Sequence, residues 1–321
     1  MKRHEIFNEF KCWEGYCDSS FTVNFIGVMT RIAHQHCFSV ARSSLGKSGR
    51  KLVHTDYPLP SESYFEFISI LESVVQATEG FTMVELGAGM GTQIVNAGVA
   101  VRSYHRQAFP CKLIAVEAEP THFEWMKQHM LDNDLDPNQH RLIEAAISDK
   151  DGVVEFNIGF PEWYGSAIVD APHFSPAKQA YWRLRKLYAK IFGRKCTLTD
   201  YWTGSQATGK YYTREVKAMS LNTLLRSLDL VDLIHSDVQG AELRVFESSI
   251  EQVNMKVKKI HIGTHNLDAE GRLRTLFRGM GWNCLYDYPG MNECRTPYGT
   301  VKFQDGIQVW RNPRILNIRS S

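Results

Sequence analysis

A glycine-rich turn between a predicted strand and a predicted helix is the strongest constraint in this sequence. Residues 81–91 read F-T-M-V-E-L-G-A-G-M-G, and the following T-Q-I-V-N-A-G-V-A-V-R has the composition of a helix. A strand that passes through such a turn into a helix is typical of parallel α/β sheets, and the turn presents free backbone N–H groups to a ligand. The turn therefore predicts a fold class and the place of a ligand site.

The same alternation continues along the chain. Four more buried-type strands are predicted, with helices between most of them, at 112–117, 141–147, 231–237 and 257–263. Two β-type runs at 282–288 and 306–311 are expected to form a C-terminal antiparallel hairpin at the sheet edge. Strands alternating with helices predict a Rossmann-like α/β fold around a mostly parallel seven-stranded sheet.

The pattern also suggests how the chain is divided. Residues 1–80 are predicted to be a partly helical N-terminal extension, and residues 81–321 the α/β domain. The alternation lapses at 160–214, and an insertion of that length is usually a lid or a substrate-binding element. Within it, 178–195 is predicted to be a basic, aromatic helix that packs as a lid, with contact to a membrane surface as the alternative.

Composition limits the class of protein. The formal net charge of +2 disfavours a general nucleic-acid-binding protein. Seven cysteines are scattered without a C-x-x-C pair, which favours a reducing compartment. The start, M-K-R-H-E-I-F-N-E-F-K, lacks the apolar core of a signal peptide. A cytoplasmic location is the resulting expectation.

The residues around the glycines indicate which ligand the turn binds. Gly87, Gly89 and Gly91 follow Glu85, and Thr92 stands where a dinucleotide-binding turn needs a small residue for close helix packing. A carboxylate before the first glycine is unfavourable beside a pyrophosphate and suits a cation. S-adenosylmethionine, which carries an ammonium and a sulfonium and no phosphate, is therefore predicted. A nicotinamide oxidoreductase is disfavoured by the same residues.

Further cofactor contacts are predicted at the next two strands. Glu117 ends the strand K-L-I-A-V-E, where a carboxylate can accept hydrogen bonds from both ribose hydroxyls, and Glu119 competes for that role. Ala146 and Ser148, in A-A-I-S-D, are small enough for an adenine ring to lie against the backbone.

Four segments together resemble the FkbM family of S-adenosylmethionine-dependent methyltransferases. They are V-E-L-G-A-G-M-G, A-V-E-A-E-P, A-A-I-S-D-K-D-G-V-V-E-F and, most specifically, V-D-L-I-H-S-D-V-Q-G-A-E-L-R-V-F-E. The family pattern in the last segment is D-hydrophobic-I-K-I-D-V-E-G-A-E. His235 replaces its lysine and Gln239 replaces its acid. The resemblance implies O-methylation of a sugar, glycan or other small natural product.

Catalytic candidates lie at the carboxyl ends of the later strands. Asp237 ends its strand and is predicted to face the methyl donor, so it counts as both a cofactor-binding and a catalytic residue. His265 is the favoured general base, because an unperturbed imidazole titrates near neutral pH. His235 is a further candidate. Asp237, Glu242 and His265 would permit a divalent metal, but their spacing is not a recognised ligand signature, so no metal site is predicted.

Two other functions remain open from the sequence. A nucleic-acid or N-directed methyltransferase is disfavoured, because D-V-Q-G stands where base-methylating enzymes typically carry Asp/Asn-Pro-Pro-Tyr/Phe. A catalytically silent domain that binds S-adenosylmethionine is the second alternative.

Overall fold

The first part of the chain forms two small antiparallel sheets and one long helix. The structure is a computed structural model that describes residues 2–35, 49–105, 108–158, 165–169 and 212–318. The N-terminal elements are β1 (Glu14–Asp18), β2 (Phe21–Val23), β3 (Met29–Arg31), β4 (Arg50–His54) and α1 (Glu62–Gln76). β1 pairs with β4 and β2 with β3. The helix was predicted, whereas the four strands were not.

Helix α1 joins this N-terminal part to the rest of the molecule. Ser61 caps the helix, because its hydroxyl accepts the backbone N–H of Tyr64. The buried face of α1 shares one apolar core with Phe7 and Phe25 on one side and with Ile94 and Leu233 on the other. Residues 1–80 therefore pack onto the α/β part through a common core, and the division of the chain at residue 80 stays a prediction.

The remainder of the described chain is an α/β arrangement followed by a β-rich end. Its first half contains β5 (Phe81–Leu86), α2 (Thr92–Tyr104), β6 (Cys111–Glu117), α3 (Pro120–Leu131), β7 (Arg141–Glu144), β8 (Ala146–Ser148), β9 (Gly152–Ile158), β10 (Ala167–Ile168) and β11 (Tyr212–Ser220). Its second half contains α4 (Leu221–Arg226), β12 (Leu233–Ser236), α5 (Glu242–Lys256), β13 (Lys259–Thr264), α6 (Leu267–Gly279), β14 (Asn283–Tyr288), β15 (Asn292–Thr296), β16 (Gly299–Phe303), β17 (Gly306–Arg311) and α7 (Pro313–Ile318).

The central sheet has seven strands in the order β14-β17-β13-β12-β5-β6-β7. All neighbouring pairs from β13 to β7 are parallel, and β17 runs antiparallel to both β13 and β14. The predicted mostly parallel sheet is confirmed. The antiparallel pair at its edge is also present, although the hairpin of β15 and β16 separates its two strands along the chain.

The strand predicted at 141–147 is broken in the structure. The chain bends at Ala145, so β7 pairs with β6 while β8 leaves the central sheet. A second sheet results, with the order β10-β9-β11-β8. The described ends of the predicted insertion, residues 165–169 and 212–214, contribute β10 and the start of β11 to this sheet. The predicted helix at 178–195 lies outside the described residues.

Apolar side chains cover both faces of the central sheet, as expected for parallel strands. Val84, Ile114, Ile234 and Ile260 are fully buried on four adjacent strands. Trp310 on β17 is also fully buried, and its ring lies 5.5 Å from the Phe277 ring of α6 at an interplanar angle of 24°. In the described part of the chain, no helix is long and apolar enough to cross a membrane.

Replacing Trp310 by alanine should destabilise the protein strongly, because the cavity left behind cannot close completely. We expect a loss of about 3–5 kcal/mol in the free energy of unfolding, measured by urea denaturation. Leu59→Ala is the control, because Leu59 is 80% exposed and its truncation should change stability by no more than about 0.5 kcal/mol. Equal stability of the two variants would contradict the packing described for β17.

Candidate active site

A cavity lies beyond the carboxyl ends of β5, β6 and β12, where ligands bind in open parallel sheets. Seven of the residues predicted from the sequence line it: Glu85, Gly87, Gly89, Glu117, Ala146, His235 and Asp237. Gly91, Ser148 and His265 do not. Gly91 precedes α2, the Ser148 hydroxyl donates to Asp149, and His265 lies behind Asp237.

The glycine turn needs glycine at each of its alternating positions. The φ angles of Gly87, Gly89 and Gly91 are +74°, +54° and +74°, in the left-handed region that favours glycine. A Cβ at Gly87 would collide with the backbone carbonyl oxygen of Asp237, and one at Gly91 would collide with the Met126 side chain. The turn therefore brings the end of β5 against the end of β12 and against α3.

Glu85 has a different main contact from the one predicted. Its carboxylate accepts the backbone N–H groups of Gln93 and Ile94, at 3.3 and 3.0 Å, in the first turn of α2. The positive end of a helix dipole favours an acid there. Burial nevertheless raises the pKa of Glu85 to about 7, with the positive charge of His235 and the two N–H groups acting in the opposite direction. Glu85 therefore stabilises the start of α2 as well as lining the cavity.

Glu117 connects the end of β6 to the glycine turn. One carboxylate oxygen accepts the N–H of Gly89 at 2.6 Å, and the other accepts the N–H of Glu119 at 2.7 Å. Burial raises the pKa of Glu117 to about 7 against the effect of these hydrogen bonds. Each oxygen of an ionised carboxylate offers two acceptor sites, so each keeps one for a ligand. Glu119, the competitor, caps α3 by accepting the N–H of His122.

The far wall of the cavity is mostly apolar. Ala145, Ala146 and Ile147 line it from the break between β7 and β8, and Phe156 and Ile168 line it from the second sheet. The break between β7 and β8 therefore places Ala145, Ala146 and Ile147 at the wall of the cavity. The face of a flat ring such as adenine can pack against such a wall.

His235 is buried between the central sheet and α1. It lies opposite Glu85 on the neighbouring strand, and its Nε2 is 3.4 Å from a carboxylate oxygen of Glu66. Its ring stacks on His261, with 5.1 Å between ring centroids, and His261 Nδ1 is 2.9 Å from the Ser69 hydroxyl. Burial alone would lower the pKa of His235, but the neighbouring carboxylates, Glu66 first, raise it above the usual value.

His265 lies just beyond the end of β13 between carboxylates. Its Nδ1 is 2.9 Å from Glu242 Oε1, and its Nε2 is 3.2 Å from Asp237 Oδ1 and 3.7 Å from Asp305 Oδ1. Burial would lower the pKa of His265, but Glu242 and Asp237 outweigh it and raise this pKa well above 6.5. His265 is thus a cation at neutral pH in this arrangement. It lowers the pKa of Asp237, against the opposite effect of the partial desolvation of that carboxyl group.

Three acidic residues of the site were missing from the predicted set. Glu66 comes from α1, Glu242 from the start of α5, and Asp305 from the turn between β16 and β17. Glu242 belongs to the G-A-E part of the most specific segment, and the sequence pointed to it as a possible metal ligand. Its carboxylate accepts the N–H groups of Val238 and Gly240, which precede α5. Nothing local in the sequence marks Glu66 or Asp305.

Comparison with known protein families identifies the chain. The family model described as the Methyltransferase FkbM domain matches residues 94–288, which include most of the cavity and the Asp237–His265 pair. The chain belongs to this family. It is a methyltransferase, as the four sequence segments predicted.

Individual proteins and solved structures are also similar to this chain. A protein of Jannaschia sp. (strain CCS1), named as a methyltransferase without a stated substrate, is 26% identical over 311 residues, covering 95% of this chain and 97% of that protein. The precorrin-6y C5,15-methyltransferase of Geobacter metallireducens GS-15 is 10% identical, with 77% of this chain and 86% of that chain covered and a TM-score of 0.38. The ribosomal protein L11 methylase of Lactobacillus delbrueckii subsp. bulgaricus is 8% identical, with 78% of each chain covered and a TM-score of 0.35. Neither structure bears on the acceptor of this chain.

Replacing Gly87 by alanine should damage the fold at the site, because the added Cβ meets backbone and the φ angle is positive. We expect a loss of about 1–3 kcal/mol in the free energy of unfolding. Gly271→Ala is the matched control, because Gly271 lies in α6 with open space around its Cα. There alanine should be neutral or stabilising by up to about 1 kcal/mol. Denaturant unfolding of both variants tests this, and wild-type stability of Gly87→Ala would contradict it.

Proposed function

We propose that this methyltransferase uses S-adenosylmethionine to methylate a hydroxyl group of a sugar, a glycan or another small natural product. The observation that supports it best is the position of Asp237. This carboxylate lines the cavity at the end of β12 and is held from behind by His265. A hydroxyl acceptor needs such a group to receive its proton during methyl transfer.

The residues of the cavity fit S-adenosylmethionine, the usual donor of methyltransferases. Glu117 would accept hydrogen bonds from the ribose hydroxyls, and the apolar wall at Ala146 and Phe156 would contact the adenine ring. At the other end of the cavity, the carboxylates of Glu66 and Asp237 suit the ammonium and the sulfonium. The same cavity holds no lysine or arginine among its described lining residues, which disfavours a phosphate-bearing cofactor.

The proposed chemistry divides the roles of Asp237 and His265. Methyl transfer to a hydroxyl is an in-line displacement, so most of the catalysis is positioning of the two reactants. As the new C–O bond forms, the hydroxyl proton becomes far more acidic than a carboxylic acid, and Asp237 can accept it. His265 orients Asp237, because its Nε2 lies 3.2 Å from Asp237 Oδ1. The base predicted at His265 is thereby assigned to its neighbour.

Asp237→Asn should lower kcat by about 10²–10⁴-fold, because the amide keeps the shape of the side chain but cannot accept the proton. Donor affinity, measured by calorimetry, should also fall, because the amide lacks the negative charge that suits the sulfonium, so turnover is compared at saturating donor. Asp229→Asn, at an exposed position after α4, is the control with normal turnover. Full activity of Asp237→Asn on an identified acceptor would remove Asp237 from the mechanism.

Donor binding near pH 7 should release protons from Glu117. With its pKa raised to about 7, roughly half of the Glu117 carboxyl groups are protonated there, and hydrogen bonds from the ribose hydroxyls favour the ionised form. Calorimetry in two buffers of different ionisation enthalpy should therefore detect a release of up to about 0.5 proton at pH 7. Lowering the pH towards 5 should weaken donor binding, because the protonated form is then the main one.

Two variants assign this release to Glu117. Glu117→Gln should abolish its part of the release and weaken donor binding. Glu144→Gln should change neither, because Glu144 stands opposite Glu117 on β7 and its side chain is exposed. Identical proton release and affinity in all three proteins would contradict the assignment of Glu117 to the ribose.

A further inference from the structure

We propose that Asp237, Asp305 and His265 bind a divalent metal ion beside the cavity, on the His265 side of Asp237, with Glu242 orienting His265. The binding of the ion stands on the geometry of these four side chains. Its chemical role rests on the proposed function. The side chains come from the ends of β12 and β13, the start of α5 and the turn before β17. The site therefore lies at the carboxyl ends of two inner strands of the central sheet.

The contact between Glu242 and His265 decides which ring nitrogen is available. Nδ1 lies 2.9 Å from Glu242 Oε1, so in the neutral ring the proton sits on Nδ1 and the lone pair on Nε2. A carboxylate that holds the far nitrogen of a histidine is a recurring feature of metal sites, because it fixes the ring and raises its basicity. Nε2 then points toward Asp237 and Asp305.

Two separations in this cluster are close to those between ligands around one ion. Nε2 is 3.2 Å from Asp237 Oδ1 and 3.7 Å from Asp305 Oδ1. Neighbouring ligands of an octahedral ion with bonds of about 2.1 Å are about 3.0 Å apart. Those of a tetrahedral ion with similar bonds are about 3.4 Å apart. Asp237, Glu242 and His265 each offer one potential ligand atom within 4.8 Å of the others, and Asp305 joins this group through its approach to His265 Nε2.

The charges of the cluster are unbalanced without a cation. Three carboxylates face the single imidazole of His265, whereas Glu66, which also acts on Asp305, is paired with His235. Glu242 is fully buried, and its Oε2 has no hydrogen-bond partner among the described residues. The His265 ring beside Glu242 supplies one positive charge to this buried group when it is protonated, and three carboxylates share that charge. A divalent ion in place of the His265 proton would offset the excess negative charge.

The cluster is buried on one side and open on the other. The side chains of His265 and Glu242 are 4% and 0% exposed, whereas those of Asp237 and Asp305 are 42% and 41% exposed. The buried half fixes the geometry, and the open half leaves coordination positions for water or for the acceptor. A ligand set of one imidazole and carboxylates suits Mn²⁺ and similar divalent ions.

Such an ion would assist the proposed methyl transfer directly. A hydroxyl bound to a divalent cation is more acidic than a free one, so it loses its proton more readily to the second oxygen of Asp237. The acceptor oxygen then forms a bond to the methyl carbon while the carbon–sulfur bond breaks. The products are a methyl ether and neutral S-adenosylhomocysteine.

Binding of Mn²⁺ to the full chain, stripped of metal by a chelator and free of donor, tests the site. Titration followed by electron paramagnetic resonance should show one equivalent bound per chain. Asp305→Asn should weaken this binding at least about tenfold, and Glu242→Gln should weaken it about 10–100-fold through loss of the orienting contact. Glu293→Gln, an exposed residue of β15, is the control with unchanged binding. Asp305→Asn is the cleaner variant for folding, because Asp305 is partly exposed while Glu242 also binds two backbone N–H groups.

The outcomes separate the metal site from the proposed function. Absence of saturable Mn²⁺ binding, or equal binding by wild type, Asp305→Asn and Glu242→Gln, would overturn the site. Undiminished methyl transfer by the stripped protein in excess chelator would overturn the role of the ion and leave the proposed O-methylation intact. One equivalent of Mn²⁺ lost in both variants would establish the site, even if the protein methylated no hydroxyl acceptor and the proposed function failed.

Discussion

The close contact between the glycine turn and the end of β12 is the constraint on which the site depends. The N–H groups of Gly87 and Ala88 both donate to the carbonyl of Val116, and the N–H of Asp237 donates to the carbonyl of Leu86. The turn is thus fastened to both neighbouring strands. The backbones at the ends of β5 and β12 approach so closely that there is no room for a Cβ at Gly87. This contact holds Asp237 at the wall of the cavity.

This arrangement places several carboxyl groups in a small buried volume, and their protonation couples the site to the fold. The pKa values of Glu85 and Glu117 are raised to about 7, so the folded protein binds more protons than the unfolded chain between about pH 4.5 and 7. The contribution of Glu85 and Glu117 to the free energy of unfolding is therefore present at low pH and is lost as the pH rises through 7. Ligand groups that stabilise the ionised carboxylates would recover part of that loss.

Much of the fold could be predicted because its signals are local in the chain. The apolar runs, the alternation with helices and the three glycines are each visible within about twenty residues, and they led to the sheet, the turn and Glu117. The break at Ala145 was missed, because R-L-I-E-A-A-I reads as one continuous apolar strand. Only pairing with β11, which lies far along the chain, shows that β8 belongs to the second sheet.

The candidate site was predictable only where it follows the strand ends. Asp237 ends one predicted strand and His265 closely follows another, so their proximity followed from the topology. The raised pKa of His265 could not be predicted, because it depends on Glu242 and Asp237 approaching the ring from two sides. Asp305 lies in an ordinary turn, and its place near His265 is a product of the antiparallel β17 that follows it.

Contacts in the structure explain the two residues that depart from the family pattern, Gln239 and His235. Gln239, in place of an acid, donates its side-chain amide to Asp237 Oδ1 at 2.9 Å, so it favours the ionised form of that carboxylate. His235, in place of a lysine, lies beside Glu66, which α1 contributes from the N-terminal part of the chain. A histidine side chain is shorter than a lysine side chain, so its charge is stabilised by a carboxylate that lies close to it, here that of Glu66. The N-terminal part, which the sequence predicts as an extension, therefore shares an apolar core with the α/β part and contributes Glu66 to the lining of the cavity.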